Sequence, residues 1–164
     1  MKETIKKYRL PILLVVISLI LFYFKDKVKS GMEKIISPFK KSFGVSSPFG
    51  DRIHPVTKEA QFHNGVDFKT PEGTPVYASF DGLVSTFEDQ INGKAMLLTN
   101  DTIKRRVGFA HLSSFVAKKG QTVKQGDLIA YTGKTGRVTG AHVHMTLKDT
   151  ATNKWINPIN EIKF

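Results

Sequence analysis

The chain reads as an all-β domain, a sandwich or barrel of short strands, preceded by an N-terminal transmembrane helix. Three observations predict this. Past residue 45, short runs rich in β-branched and aromatic residues alternate with Gly, Pro, Asn and Asp, the spacing of strands and turns. No apolar repeat of helical period and useful length occurs there. Ahead of it, residues 10–24 are uncharged and almost wholly apolar. The 164 residues hold one domain of ordinary size plus an extra segment. With 40% hydrophobic and 10% aromatic residues, the domain can bury a real core.

The N-terminal arm divides in two. Residues 1–25 read as a short N-terminal tip, cytoplasmic if the domain lies outside, and a single-span anchor. Fifteen residues at helical rise reach about 22 Å, short of the ~30 Å hydrocarbon core. Lys7, Tyr8 and Arg9 on one side, and Phe22, Tyr23 and Lys25 on the other, can sit at the interfaces or snorkel. A cleavable signal peptide needs small residues after its apolar run, and here Phe22-Tyr23-Phe24-Lys25-Asp26-Lys27 follow. A buried core helix is not usually apolar all round and flanked by lysines. Positive charge is nearly balanced across the span, so it does not orient it. Residues 26–44 read as a basic, partly helical linker. Val28, Met32, Ile35 and Ile36 recur at helical spacing until Pro38 interrupts them.

From residue 45 to 164 the pattern is that of the β domain. Strands are expected over 65–68, 75–78, 82–88, 95–99, 104–110, 122–123, 128–132 and 142–147. A faint internal echo runs through them. Gly73-Thr74-Pro75-Val76 leads to Asp81-Gly82-Leu83-Val84, and Gly120-Gln121-Thr122-Val123 leads to Gly126-Asp127-Leu128-Ile129. Each reads as a strand, a tight Gly turn and a returning strand. Biotinyl and lipoyl carrier domains use such units, but they present a lysine at a hairpin tip, and no such context occurs here.

Charge and cysteine content narrow the chemistry. The net charge is +11. Residues 1–44 carry ten Lys/Arg against three Asp/Glu, so most of the excess belongs to the arm. The remainder reads as a solvated surface rather than a nucleic-acid footprint, which needs a basic stripe with interleaved aromatics; only Lys104-Arg105-Arg106 comes near. There is no cysteine, hence no disulfide and no thiolate ligand. Any zinc here is held by histidine and carboxylate.

All five histidines lie in the β domain. In Gly140-Ala141-His142-Val143-His144-Met145, His142 and His144 project to one strand face, and Val143 and Met145 to the other, into the core. His63 and Asp67 are four apart in His63-Asn64-Gly65-Val66-Asp67 and share a face in a helix or a strand alike. A plain His–Asp hydrogen bond explains that pair equally well. His111 follows a strand in Phe109-Ala110-His111-Leu112-Ser113, a place where a lone histidine is usually structural. His54, before Pro55, reads as a loop residue. Taken together they weigh more. Catalytic zinc takes three protein ligands and an open fourth position. His63, Asp67 and one of His142 and His144 meet that count, and the two histidines left over suit acid–base work and charge stabilisation. The chain has no His-Glu-x-x-His helix, no Gly-x-Ser-x-Gly elbow and no phosphate-cradling Gly-Lys-Ser/Thr loop.

These motifs, in this order, resemble the M23 zinc peptidases of the lysostaphin and LytM type, which cut cross-links or stem peptides in bacterial peptidoglycan. The likeness runs over residues 46–158. Arg52-Ile53-His54-Pro55 is similar to the family's opening turn. Phe62-His63-Asn64-Gly65-Val66-Asp67-Phe68 resembles its His-x-x-x-Asp motif, and Gly73-Thr74-Pro75-Val76 with Asp81-Gly82 its hairpin. Phe109-Ala110-His111-Leu112 is similar to its Tyr-x-His-Leu, and Gly120-Gln121-x-Val123-x-x-Gly126 follows as in the family. The Gly-rich approach from Thr132 to His144 resembles the approach to its His-x-His, and Trp155-Ile156-Asn157-Pro158 its closing segment.

The resemblance implies a mostly antiparallel β-sheet of the duplicated hybrid type with a groove across it. It implies zinc ligands at His63, Asp67 and His144, and catalytic, non-ligand histidines at His111 and His142. The expected activity is zinc-dependent hydrolysis of peptidoglycan peptides. The substrate then puts the domain outside the cytoplasm, held to the membrane by the N-terminal helix. Two positions depart from the family. Phe109 stands where the family often has Tyr, and Met145-Thr146 where it often has an aromatic and Glu. Neither is a ligand position, so activity is expected to survive. Two alternatives remain. One is a non-catalytic relative that binds cell wall or activates another hydrolase; such relatives typically lose ligands, and this chain keeps all three. The other is a carrier or phosphotransfer domain with one phosphorylated histidine, which needs neither Asp67 nor the pair.

Overall fold

Burial follows the strand period in the strand that carries His144. Along Val143–Asp149, Val143, Met145 and Leu147 are fully buried, and the residues between them are half-exposed. The computed structural model describes residues 14–22, 34–53, 58–162 and 164. Residues 14–22 are helical and exposed. Among the described residues no helix is long and apolar enough to cross a membrane. The rest of the expected span, residues 10–13 and 23–24, lies outside the described residues, as do the tip and residues 26–33 of the linker.

The second unit runs from Lys34 to Phe164. Its strands are β1 (Val45–Ser47), β2 (Gly50–Ile53), β3 (Ala60–His63), β4 (Gly65–Phe68), β5 (Pro75–Tyr77), β6 (Gly82–Asp89), β7 (Gly93–Asn100), β8 (Arg105–Phe115), β9 (Thr122–Val123), β10 (Leu128–Thr132), β11 (Val143–Asp149) and β12 (Trp155–Ile156). Ten of these form one sheet in the order β1-β4-β11-β8-β7-β6-β9. In it β10 pairs with β5 and β8, and β12 pairs with β11. β2 and β3 form a separate hairpin. Every pairing is antiparallel. The fold is therefore the all-β, mostly antiparallel class that the sequence predicts.

The eight expected strands are all present, seven of them within two residues of the expected ends. β8 differs: it continues through His111 to Phe115. β1, β2, β3 and β12, and the one-turn helix Pro158–Glu161, were not anticipated.

The echoed units are not hairpins. β5 pairs with β10, and β6 with β9, so each unit's first strand takes the other unit's second strand as its partner. The turns lock the exchange: Ala78 N–H donates to Asp127 O, Gly126 N–H to Ala78 O, and Gly120 N–H to Val84 O. Exchange buries Val76, Val84, Val123 and Ile129 in one shared core, which two isolated two-stranded ribbons could not do.

Residues 34–44 form no helix: Ile36 makes a single bridge and bends follow over residues 38–41. Ile36 N–H donates to Ser79 O, and Tyr77 N–H donates to Pro38 O. Ile35 and Phe39 sink into the core, where Phe39 meets Phe68 edge-on at 5.8 Å. The helical spacing of Ile35 and Ile36 is overridden by these backbone bonds and by Pro38, which cannot continue a helix.

Candidate active site

The register of three neighbouring central strands builds the site. β11 lies between β4 and β8, pairing His144 with Asp67 on one side and with Ala110 on the other. His63 ends β3, and Asn64 joins it to β4. Thus His63, Asp67 and His144 come together although 77 residues separate the last two in sequence. Val143 and Met145 point into the core as expected, with no exposure.

Three ligand-capable atoms converge here. His63 Nε2 lies 3.0 Å from His144 Nδ1. His144 Nδ1 lies 2.7 Å from Asp67 Oδ1, and His63 Nε2 lies 3.3 Å from the same oxygen. His63 Nδ1 sits 2.7 Å from Pro48 O, an acceptor, so its proton belongs on Nδ1 and the Nε2 lone pair faces the cluster. Ligands held by zinc at ~2.0–2.1 Å stand about 3.3 Å apart around a tetrahedron. The three atoms approximate one face of such a tetrahedron, and the group could hold a metal ion. Its nitrogen and carboxylate donors suit zinc.

Gly65 makes room for this arrangement. A Cβ on Gly65 would sit 2.4 Å from Met145 O and 2.7 Å from His144 Cε1. The His144 ring therefore lies against bare backbone. Beyond the triplet, Arg52 Nη1 is 3.6 Å from Asp67 Oδ2 and hydrogen-bonds Ser47 Oγ, tying β1 and the β2–β3 hairpin to the carboxylate. Burial works to raise the Asp67 pKa. The neighbouring His144 and His63 rings outweigh it and hold the carboxyl well below the usual carboxylate range.

His111 and His142 stand beside the triplet. The rings of His111 and His142 are 4.7 Å apart, and that of His111 is 6.4 Å from that of His144. His111 occupies a β-bulge: β8 spends three steps from Leu112 to Phe109 while β7 spends two from Lys94 to Met96. Its φ is 63°, a left-handed conformation uncommon outside glycine. At this residue β8 also changes neighbours, from β11 before it to β10 after it. His111 Nδ1 lies 3.0 Å from Thr135 O, and His142 Nδ1 lies 3.0 Å from Gly140 O. Each carbonyl accepts a hydrogen bond from Nδ1–H, which leaves the lone pair on Nε2. Burial pushes the His111 pKa down, so the ring stays neutral near neutral pH.

A groove runs beside His144. Residues lining it include Asn64, Phe87, Leu97, Gly108, Thr146 and Trp155. Of the two departures from the family pattern, Phe109 is 1% exposed and packs in the core, where a hydroxyl would need a buried partner. Met145 is in the core as well, and Thr146 lines the groove. All five site residues expected from the sequence meet here. His54 and Pro55 lie outside the described residues. The carbonyls of Pro48, Thr135 and Gly140, which orient three of the rings, were not foreseen: backbone acceptors carry no residue-type signal. Arg52 was noted only as part of a turn.

A profile of Peptidase family M23 matches residues 61–158. Over 113 residues the chain is 43% identical to peptidoglycan DD-endopeptidase ShyA of Vibrio cholerae serotype O1, covering 67% of this chain and 26% of that protein. Over 118 residues it is 36% identical to DD-carboxypeptidase/endopeptidase Mpg of Neisseria meningitidis serogroup B, covering 71% and 26%. Among solved structures, a zinc containing peptidase from Vibrio cholerae superposes with a TM-score of 0.68 at 35% identity, over 76% of this chain and 39% of that one. The catalytic domain of lysostaphin from Staphylococcus simulans gives 0.64 at 25% identity, over 72% and 90%. Sheet and site together define the class, a β-sheet protein with a His–Asp–His triplet able to hold a metal. The chain belongs to peptidase family M23. The match spans about a quarter of the length of the curated relatives.

Proposed function

We propose that the chain is a zinc metalloendopeptidase that hydrolyses peptide bonds of bacterial peptidoglycan, in a stem peptide or a cross-bridge. One observation carries this reading: a His–Asp–His triplet with metal-like spacing stands beside two histidines whose Nδ1 protons are already committed to carbonyls. His63 through Nε2, Asp67 through Oδ1 and His144 through Nδ1 would hold the zinc. When bound, zinc supplies a Lewis acid that acidifies water and polarises a carbonyl. His111 and His142 do the proton work. An Nε2 lone pair accepts a proton from the attacking water, and the imidazolium so formed returns it to the leaving amine. Before that return, the Nε2–H of the imidazolium donates to the oxyanion that develops at the scissile carbon. The neutral state of buried His111 keeps its lone pair available. Arg52 holds Asp67 in place from behind.

The groove between Phe87 and Trp155 is the place for an extended peptide, with its scissile bond beside His144. Relatives named as peptidoglycan DD-endopeptidases support that substrate class. The apolar residues 10–24 would anchor the chain, with the peptidase domain outside the cytoplasm, where peptidoglycan lies. A zymogram on purified cell walls tests the reading. Clearing that disappears with a chelator and returns with zinc is expected; no clearing in any lane sinks it.

A further inference from the structure

Thr135 lies in the loop between β10 and β11, and the proposed chemistry gives its side chain no task. Its hydroxyl nonetheless makes two bonds across the fold. Oγ1 accepts the Lys94 N–H at 3.0 Å, at the start of β7, and donates to Leu112 O at 2.7 Å, one residue after His111. The Thr135 carbonyl holds His111 Nδ1. The β6–β7 turn completes the clasp: Asn92 O accepts the His111 N–H at 2.8 Å, and Ile91 O accepts the Arg137 N–H at 3.0 Å. Here the two backbones touch. A Cβ on Gly136 would fall 2.3 Å from Gly93 N, so no side chain fits between turn and loop. His111 is thus held at both its backbone and its ring, in a left-handed conformation it would not otherwise adopt.

We propose that Thr135 is a positioning residue that fixes the tautomer and orientation of His111, its hydroxyl pinning the loop so that its own carbonyl keeps the proton on Nδ1. The proposal rests on the reading of His111 as a proton-transfer group, and adds what sets that group. A ring nitrogen's partner decides which nitrogen carries the proton. Thr135 is well suited to that task because one residue supplies both the pin and the acceptor. Without the hydroxyl, its bonds to Lys94 N–H and Leu112 O are lost, the carbonyl drifts, and the Nδ1 and Nε2 tautomers mix.

The test is Thr135→Val, which keeps the shape and removes the hydroxyl, against Thr135→Ser, which keeps it. Two-bond ¹H–¹⁵N spectra of the full chain, metal-free and zinc-loaded, read the His111 tautomer directly. Wild type and T135S should show a single Nδ1–H form, and T135V a mixture. Cell-wall turnover should fall about 10- to 100-fold in T135V and recover in T135S, with zinc content unchanged in both. A wild-type His111 protonated on Nε2, or a T135V His111 still wholly Nδ1–H, overturns the proposal. An inactive wild type whose tautomer still depends on Thr135 sinks the peptidase reading and leaves the positioning claim standing. An active chain whose tautomer ignores Thr135 does the reverse.

Discussion

Replacing Gly65 with alanine sets one methyl group against the proposed metal centre. The new Cβ would lie 2.4 Å from Met145 O, 2.7 Å from His144 Cε1 and 3.0 Å from His144 Nε2. Non-bonded carbon rests about 3.5–4.0 Å from its neighbours. β4 and β11 must therefore part, or the His144 ring must move, by on the order of 1 Å. The carbonyl is main chain and cannot swing aside. His144 Nδ1 now stands 2.7 Å from Asp67 Oδ1 and 3.0 Å from His63 Nε2, and metal sites accept errors of only about ±0.2 Å. Zinc affinity should drop by about 10- to 100-fold, which is about 1.4–2.8 kcal/mol. Overpacking should also cost about 1–3 kcal/mol of fold stability. Competition against a chromophoric chelator measures the first effect, and thermal unfolding of metal-free protein the second. Gly44→Ala is the control, since a Cβ there meets nothing within 4 Å. If G65A binds zinc as tightly as wild type, the reasoning from close approach is wrong.

Further predictions concern the roles within the histidine cluster. His63→Ala, Asp67→Ala and His144→Ala should each lose zinc, whereas His142→Ala should keep zinc and lose most of its turnover. Metal analysis of the purified variants checks this, and a zinc-free H142A beside a zinc-replete H144A would reverse the assignment. His111 predicts a pH dependence of stability. Burial lowers its folded pKa, so below about 6.5 the unfolded chain binds a proton that the folded chain does not. Stability is then fully present above that pH and declines as pH falls toward the folded pKa. His111→Gln should flatten that part of the curve in melts of metal-free protein; an unchanged slope would count against a neutral, buried His111.

What the sequence disclosed follows from where burial alternates. β4, β7, β10 and β11 each bury at least three residues, and β6 is a long run carrying Val84, Thr86 and Phe87, so their residues announce them. β1, β2, β3 and β12 are two to four residues long and bury only His63 among them, so no apolar face marks them. β8 was cut short at His111 because the bulge there breaks the period that a strand is read by. The echoed units were legible as strand, turn and strand, but not their partners. A local pattern fits a hairpin as well as an exchange, and only the shared core around Val76 and Ile129 decides between them. In the site, side-chain types identified His63, Asp67, His111, His142 and His144. The tautomers did not show, because Pro48, Thr135 and Gly140 act through their carbonyls. Gly65 was legible only as the first residue of the strand expected over 65–68. Its contact with the ring of His144, 79 residues away, exists only once β4 and β11 pair.

The central claim is hydrolysis of peptidoglycan peptide bonds by this histidine cluster with zinc. Mass spectrometry of defined, cross-linked muropeptides after incubation with the zinc-loaded full chain tests it most directly. Fragments with one peptide bond hydrolysed and a new amine and carboxyl end are expected, absent with chelator and absent with H142A. Intact muropeptides after incubation with fully zinc-loaded, folded protein would contradict it.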